Sequence, residues 1–167
     1  MSLCPDGEYV GQFEARRRRL PHWEEPGATC FVTFSLQHPA AIDLTRSDIA
    51  PIVISALRHF DNDRYMLYGY TAMPDHVHVI LKPTVREGRA ERLSRILDSL
   101  KGWIARRINE HLGRLGRLWQ PESFDRIIRD EAEYDRIAEY ILHNPRMRDL
   151  VEDPLDWPWW GQGLGER

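Results

Sequence analysis

Residues 73–81, MPDHVHVIL, contain two histidines separated by one residue within an apolar run. Side chains alternate across a β-strand, so His76 and His78 are expected to point to the same face. The apolar residues that follow predict a buried strand, and Pro74 and Asp75 predict the turn before it. Two imidazoles on one strand face are either hydrogen-bonded structural groups or ligands of a shared metal ion, and the strand alone favours neither.

Strands and helices are predicted on both sides of this stretch. The predicted strands cover residues 28–36, 64–73, 76–83 and 123–130, and the predicted helices cover 44–61, 89–116 and 131–144. Thr45 or Ser47 is expected to cap the first helix. Gly113 and Gly116 are expected to end the second helix, and Pro145 the third.

The order of these elements, β-α-β-β-α-β-α, predicts the fold class. Two strand–helix crossovers flank a central hairpin, which is the split-βαβ or ferredoxin-like arrangement. The expected fold is therefore α+β, an antiparallel sheet with the helices packed on one face.

Length and composition suit a single globular domain. Hydrophobic residues make up 42% and charged residues 29% of the 167 residues. The sequence has neither an apolar run long enough for a membrane span nor the apolar core of a secretion signal. Cys4 and Cys30 lack metal-type spacing, which favours a reduced, cytoplasmic protein. Three parts are expected: a basic arm at 1–27, the folded domain at 28–151 and a Trp-rich tail at 152–167.

Charge is distributed unevenly along a chain whose net charge is −3. Residues 16–19 are four consecutive arginines, and residues 86–117 carry nine Lys/Arg against four Asp/Glu. Residues 124–167 carry eleven Asp/Glu against six Lys/Arg. A basic segment can hold a phosphate backbone in a protein that is acidic as a whole, although a solvated helix face explains the same pattern.

A second polar pair lies in the last predicted helix. Tyr140 and Asn144 are four residues apart in AEYILHNP, so their side chains share one helix face. An amide oxygen is a hard ligand suited to Mg²⁺ or Mn²⁺, and a phenol becomes a good nucleophile once it is deprotonated. Taken alone, the pair is more simply explained as a core aromatic residue and a C-terminal helix cap.

Together, MPDHVHVIL, the long basic helix and LWQPESFDRIIRDEAEYDRIAEYILHNP (residues 118–145) resemble the REP-associated tyrosine transposases. These form part of the IS200-like, single-tyrosine (Y1) branch of the HUH endonucleases. The resemblance runs from about residue 20 to residue 151, and it implies an RRM-like antiparallel sheet with helices.

The resemblance also implies a role for each matched residue. His76 and His78 match the two histidines of the family's His-hydrophobe-His motif, which bind a divalent metal ion, Mg²⁺ or Mn²⁺. Tyr140 matches the catalytic tyrosine, which forms a 5′-phosphotyrosine with DNA. Asn144 matches the polar residue one helical turn later, which supplies the third metal ligand.

The implied activity is that of a metal-dependent single-strand DNA endonuclease and strand transferase, a transposase that acts on hairpin (REP-like) DNA as a monomer or homodimer. The expected partner is single-stranded or hairpin DNA, because a strand inside a duplex cannot easily reach a small metal cleft. The residues expected to contact DNA are basic side chains and one aromatic ring: Arg16, Arg17, Arg18, Arg19, Lys101, Arg106, Arg107, Arg114, Arg117 and Trp119.

Two other functions are compatible with the sequence. A domesticated protein could bind hairpin nucleic acid without cleaving it, with binding that depends on salt but not on a chelator. A metal-dependent hydrolase of small phosphoesters could use the histidines while Tyr140 serves only as a packing residue. The one-turn spacing of Tyr140 and Asn144 after the His-x-His strand favours the transposase over the hydrolase.

Overall fold

The structure, a computed structural model, describes residues 27–163. Its strands are β1 (Cys30–Ser35), β2 (Tyr65–Ala72), β3 (His76–Pro83), β4 (Val85–Arg86), β5 (Arg89–Ala90), β6 (Phe124–Ile127) and β7 (Trp160–Gly161). Its helices are α1 (Ala50–His59), α2 (Leu93–Leu112) and α3 (Glu131–Met147). The predicted order of four strands and three helices is confirmed, and β4, β5 and β7 are short additional strands. Nearly all of the predicted arm lies outside the described residues.

The main sheet has the strand order β6-β1-β3-β2-β7, and all its neighbouring strands are antiparallel. The four predicted strands follow the ferredoxin-like arrangement, with β7 added at the β2 edge. Strands β4 and β5 form a separate two-stranded hairpin. Between residues 27 and 163, no helix has both the length and the apolar character needed to cross a membrane.

The helices pack on both faces of the sheet. Val32 and Phe34 of β1 join the large core under α1 and α2. Phe31, which alternates with them, points to the other face and forms a smaller buried cluster with Ile80 of β3 and Ile141 of α3. The expectation that all helices share one face was therefore wrong for α3, because the sheet has buried apolar side chains on its second face as well.

The first helix begins later than predicted. Helix α1 starts at Ala50, and its N-cap residue, Ile49, makes no side-chain cap. Pro51 stands in the first turn, where its missing N–H removes no helical hydrogen bond. Neither Thr45 nor Ser47 caps the helix, so that prediction was wrong.

The third helix continues past the residue that was expected to end it. Pro145 lies inside α3, which runs to Met147. Only the last turn follows the proline, so the loss of its N–H removes a single hydrogen bond. The extension makes Arg148 the C-cap residue. Gly113, in contrast, ends α2 as predicted, with a left-handed φ of 60°.

Two side-chain-to-backbone hydrogen bonds fix the start of α3. Asp130 Oδ1 accepts a hydrogen bond from the Glu133 N–H at 2.7 Å, and Glu133 Oε2 accepts one from the Arg129 N–H at 2.8 Å. The buried Glu133 also forms an ion pair with Arg126 of β6. These contacts fix the helix on the sheet and thereby set the position of Tyr140.

Candidate active site

Strand β3 presents both predicted histidines on the sheet face that α3 covers. His76 pairs across the sheet with Ser35, and His78 lies between Thr33 of β1 and Thr71 of β2. The strand rise separates the two histidine positions by about 6–7 Å, but the rings turn toward each other. Their Nε2 atoms are 3.0 Å apart and their ring centroids 4.5 Å apart. The two imidazoles therefore converge on one point.

The other ring nitrogen of each histidine has a partner of its own. His76 Nδ1 lies 2.7 Å from Asp75 Oδ1, and His78 Nδ1 lies 2.7 Å from Thr33 Oγ1. Arg148 Nη2 donates to the same Asp75 oxygen at 3.1 Å. The hydrogen bond from His76, with the charge of Arg148, lowers the pKa of Asp75 to about 2, so this carboxylate is ionised at neutral pH. An ionised carboxylate only accepts hydrogen bonds, which places a proton on His76 Nδ1.

His78 is the more deeply buried of the two histidines. His78 is only 5% exposed. Burial, followed by the effect of His76, lowers the pKa of His78 well below its ordinary value. The His78 imidazole is therefore neutral at physiological pH, which is the form that binds metal ions.

Helix α3 places Tyr140 beside His78. Their ring centroids are 5.4 Å apart, and the Tyr140 ring stands edge-on to Phe31 at 6.2 Å. Burial raises the pKa of Tyr140, whereas a hydrogen bond from Asn144 and the charge of Arg148 act in the opposite direction. Tyr140 is thus a protonated phenol at neutral pH, with two neighbouring groups that favour the phenolate.

The Asn144 side chain is 5% exposed, and its Oδ1 atom accepts no hydrogen bond from the described part of the chain. Asn144 forms a hydrogen bond with Tyr140 that lowers the pKa of the phenol, and because Oδ1 has no partner among the described residues, the amide Nδ2 is the donor. The Thr71 hydroxyl, beside His78, likewise has no partner among residues 27–163. A buried polar atom without a partner costs about 1–3 kcal/mol, so Oδ1 is suited to receive a ligand.

These residues fit a six-coordinate divalent metal ion. Two ligand atoms at right angles on an ion with bonds of about 2.1 Å lie about 3.0 Å apart. The Nε2 atoms of His76 and His78 have that separation, 3.0 Å, and one of them donates a hydrogen bond to the other. Within residues 27–163, no three His, Cys, Asp or Glu side chains form a metal-binding cluster. A third ligand from the described residues therefore has to be of another type, and Asn144 Oδ1 meets this requirement.

Comparison with known proteins assigns the family. A sequence model described as "Transposase IS200 like" matches residues 47–144, which is more than half of the chain and includes both histidines, Tyr140 and Asn144. The chain belongs to the IS200-like transposase family. Members of this family cleave DNA and are generally metal-dependent.

Two relatives of this IS200-like transposase carry a more specific name. The REP-associated tyrosine transposase of Escherichia coli (strain K12) is 28% identical over 137 residues, covering 79% of this chain and 74% of that protein. A solved structure of a REP-associated tyrosine transposase bound to a REP hairpin has a TM-score of 0.70 at 23% identity, covering 86% of this chain and 81% of the other. The predicted resemblance to this group is confirmed, as is the predicted fold class.

The residues predicted to contact DNA fall into three groups. The first lies outside the described residues: Arg16, Arg17, Arg18 and Arg19. The second consists of arginines on α2 and in the following loop. Arg106, Arg107 and Arg117 are exposed, and Arg114 is partly buried. In the third group, Lys101 Nζ donates to Gln120 O and Ser123 Oγ, each at 3.0 Å. Trp119 is 4% exposed and packs edge-on against Phe34, so the structure gives it a core role instead of a free face for base stacking.

The basic loop after α2 returns toward the site, although α2 lies on the opposite face of the sheet from Tyr140. The Gln120 N–H donates to Ser35 O at 2.9 Å, and Ser35 is the register partner of His76. The loop that carries Arg117 therefore reaches the end of the sheet at which His76 lies.

Three residues join the site without having been predicted from the sequence: Thr33, Asp75 and Arg148. For Asp75, the sequence predicts only a turn, although a carboxylate directly before a metal-type histidine is a usable signal. Thr33 is 45 residues from His78 and meets it only through the register of β1 and β3. Arg148 reaches Asp75 because α3 continues past Pro145.

Proposed function

We propose that this chain is a metal-dependent single-strand DNA endonuclease and strand transferase that acts on hairpin, REP-like DNA through a 5′-phosphotyrosine intermediate. The observation that carries the proposal is the position of the Tyr140 phenol beside the convergent His76 and His78. Asn144 adds a buried oxygen without a partner among residues 27–163. The proposed nucleophile thus lies beside His78 and is hydrogen-bonded to the proposed third ligand residue, Asn144.

In this proposal, His76 Nε2, His78 Nε2 and Asn144 Oδ1 would hold Mg²⁺ or Mn²⁺. A divalent ion held there would neutralise negative charge on the scissile phosphate and orient it. The two histidine rings are oriented by contacts at their Nδ1 atoms, with Asp75 for His76 and with Thr33 for His78. Burial keeps the His78 imidazole neutral. Binding of the ion would displace the proton of the hydrogen bond between the two Nε2 atoms, and the His78 nitrogen that faces Thr33 can take it up.

Tyr140 is the proposed nucleophile. Attack of its oxygen on the phosphorus forms a Tyr–O–P bond and breaks the P–O3′ bond. The phenolic proton passes to solvent, and the departing 3′ oxygen takes up a proton to become a hydroxyl. The Asn144 amide and the Arg148 charge favour the phenolate that attacks. Because the phosphotyrosine conserves the phosphodiester linkage, the 3′-hydroxyl can later attack it, so that strand transfer needs no external energy source.

The proposed substrate class is supported by a relative and by exposed arginines. A solved relative is bound to a REP hairpin. The proposed phosphate contacts are exposed arginines: Arg106 and Arg107 on α2, and Arg117 in the loop that reaches the His76 end of the sheet. A protein that only bound hairpins would use the same surface, but it would not need Tyr140 beside the histidines.

One chain supplies every residue of this candidate site. The histidines come from β3, and the nucleophile with its asparagine comes from α3 of the same chain. The proposed route uses the histidines and Tyr140 of one chain, so it predicts that a monomer is active.

Formation of a covalent adduct tests the proposal. The protein is incubated with Mn²⁺ and a single-stranded, hairpin-bearing oligonucleotide labelled at its 3′ end, because that end stays with the protein after a 5′-phosphotyrosine forms. The unaltered chain is expected to give a labelled band on a denaturing gel, and a chelator is expected to abolish it. Tyr140→Phe should give no adduct. Tyr134→Phe, on the same helix and with the same chemical change, is the matched control and should still react.

Two results would overturn the proposal. An adduct that persists in Tyr140→Phe assigns the nucleophile to another residue. Salt-dependent hairpin binding that is insensitive to the chelator, without any adduct, favours a binding protein that does not cleave.

A further inference from the structure

The turn between β2 and β3 contains a carboxylate that contacts both halves of the candidate site. Asp75 Oδ1 lies 2.7 Å from His76 Nδ1 and 3.1 Å from Arg148 Nη2. His76 begins β3, whereas Arg148 caps the C-terminus of α3, the helix that carries Tyr140. A single carboxylate oxygen thus links the histidine strand to the nucleophile helix.

We propose that Asp75 and Arg148 form a clamp that positions His76 Nε2 for the metal ion and ties α3 to the β2–β3 turn. The inference rests on the proposed function, since it assigns positioning residues to the same metal site. Neither residue is a proposed metal ligand, and neither was found from the sequence.

The first part of the clamp acts on the His76 ring. A carboxylate that accepts a hydrogen bond from Nδ1–H fixes the tautomer and the orientation of the ring, and it leaves the Nε2 lone pair free for the metal. His78 depends less on such a partner, because it is 5% exposed and its ring lies 5.4 Å from that of Phe31. The His76 side chain is 12% exposed and stands at the open end of the pair, so its orientation depends more on Asp75.

The second part of the clamp acts on α3. Arg148 is four residues after Asn144, one helical turn, so its contact with Asp75 sets the distance between the end of α3 and the start of β3. The Arg148 side chain is 51% exposed and that of Asp75 32% exposed. An ion pair of this kind adds little to overall stability, which makes its positioning role separable from folding.

The backbone of the turn does not depend on the Asp75 side chain. The Leu36 N–H donates to Asp75 O at 2.8 Å, and the Met73 N–H donates to His76 O at 2.8 Å. Removal of the carboxylate therefore leaves both main-chain bonds of the turn in place. A substitution at Asp75 consequently tests the side chain and not the turn.

The test measures Mn²⁺ binding directly, by calorimetry or by the electron paramagnetic resonance signal of free Mn²⁺, in the absence of DNA. Asp75→Ala is expected to weaken binding by about 10- to 100-fold, the usual effect of removing the hydrogen-bond partner of a metal-binding histidine. Asp75→Asn keeps an acceptor oxygen and is expected to recover most of the affinity. Arg148→Ala should weaken binding by less than about 10-fold, and Arg146→Ala, on the same exposed helix end, is the matched control that should leave it unchanged.

A second measurement reads the ring itself. In the metal-free protein, ¹⁵N NMR is expected to show His76 protonated on Nδ1, and Asp75→Ala is expected to change the populations of its two tautomers. Arg148→Ala leaves the β2–β3 turn untouched in sequence, so it tests the clamp even if Asp75→Ala reduces the folded fraction.

Binding of Mn²⁺ within twofold of the unaltered chain by both Asp75→Ala and Arg148→Ala would overturn the inference. An unaltered chain that does not bind Mn²⁺ would instead overturn the proposed metal site. In that case the tautomer measurement still decides whether Asp75 orients His76. The failure of the clamp and the failure of the proposed function therefore give different results.

Discussion

The docking of α3 on the sheet depends on a small apolar cluster, which makes Ile141→Ala a sensitive perturbation. Ile141 is 1% exposed and packs in the cluster that contains Phe31 and Ile80. The substitution removes three carbon atoms, so at about 0.8 kcal/mol per buried carbon group the transfer contribution is about 2.4 kcal/mol. The incompletely collapsed cavity adds to this, and the expected loss in free energy of unfolding is about 3 kcal/mol, within the usual range for Ile→Ala.

The loss is measured by urea denaturation followed by circular dichroism. Leu155→Ala is a matched control, because it also removes three carbon atoms but from a side chain that is 68% exposed, and its effect should stay within about 0.5 kcal/mol. Since α3 positions Tyr140, Ile141→Ala should also reduce the rate of adduct formation more than the control does. A destabilisation below about 1 kcal/mol for Ile141→Ala would refute the docking of α3 described here.

Two further predictions concern pH and the C-terminal strand. Burial raises the pKa of Tyr65, whose hydroxyl donates to Leu57 O at 2.6 Å. Above pH 10 the unfolded chain loses this proton while the folded chain keeps it, so Tyr65 should contribute a decline in the free energy of unfolding of up to about 1.4 kcal/mol per pH unit. Urea denaturation at pH 10 and 11 should show a shallower decline for Tyr65→Phe, and equal slopes would contradict the assignment. Gly161→Ala should lower the melting temperature, because an added Cβ would lie 2.7 Å from Tyr70 Cζ. Gly88→Ala is the control: its added Cβ meets no atom within 4 Å, so it should lower the melting temperature less, despite the left-handed backbone at Gly88. Equal effects of the two substitutions would contradict the packing of β7.

Local signals were enough to predict most of the fold. Strand β3 occupies residues 76–83 as predicted, because alternating apolar residues and Pro83 define its limits. The end of α2 at Gly113 was predictable, because the left-handed backbone that ends the helix there is a conformation that glycine adopts readily. The amphipathic pattern of α3 predicts a buried stripe, but not which sheet face that stripe covers. Strand β7 was not predictable, because Trp160 and Gly161 become a strand only by pairing with the edge of β2.

Some residues of the candidate site were likewise predictable from local sequence, whereas others reach it only through the fold. His76 and His78, like Tyr140 and Asn144, have a recognisable spacing within one element. Thr33 and Arg148 join the site through strand register and a helix extension, neither of which the spacing of residues reveals. Trp119 illustrates the opposite error, because a large aromatic residue in a loop suits base stacking as well as packing, and only the fold shows that it is buried.

Peptide mapping of the covalent adduct tests the central claim most directly. After reaction with Mn²⁺ and a hairpin oligonucleotide, nuclease and trypsin digestion should leave a nucleotide on the peptide of residues 137–146, IAEYILHNPR, in which Tyr140 is the one tyrosine. Fragmentation of this peptide is expected to place the added mass on Tyr140. A modification on the preceding tryptic peptide, residues 130–136, which contains Tyr134, or on any residue other than Tyr140, would contradict it.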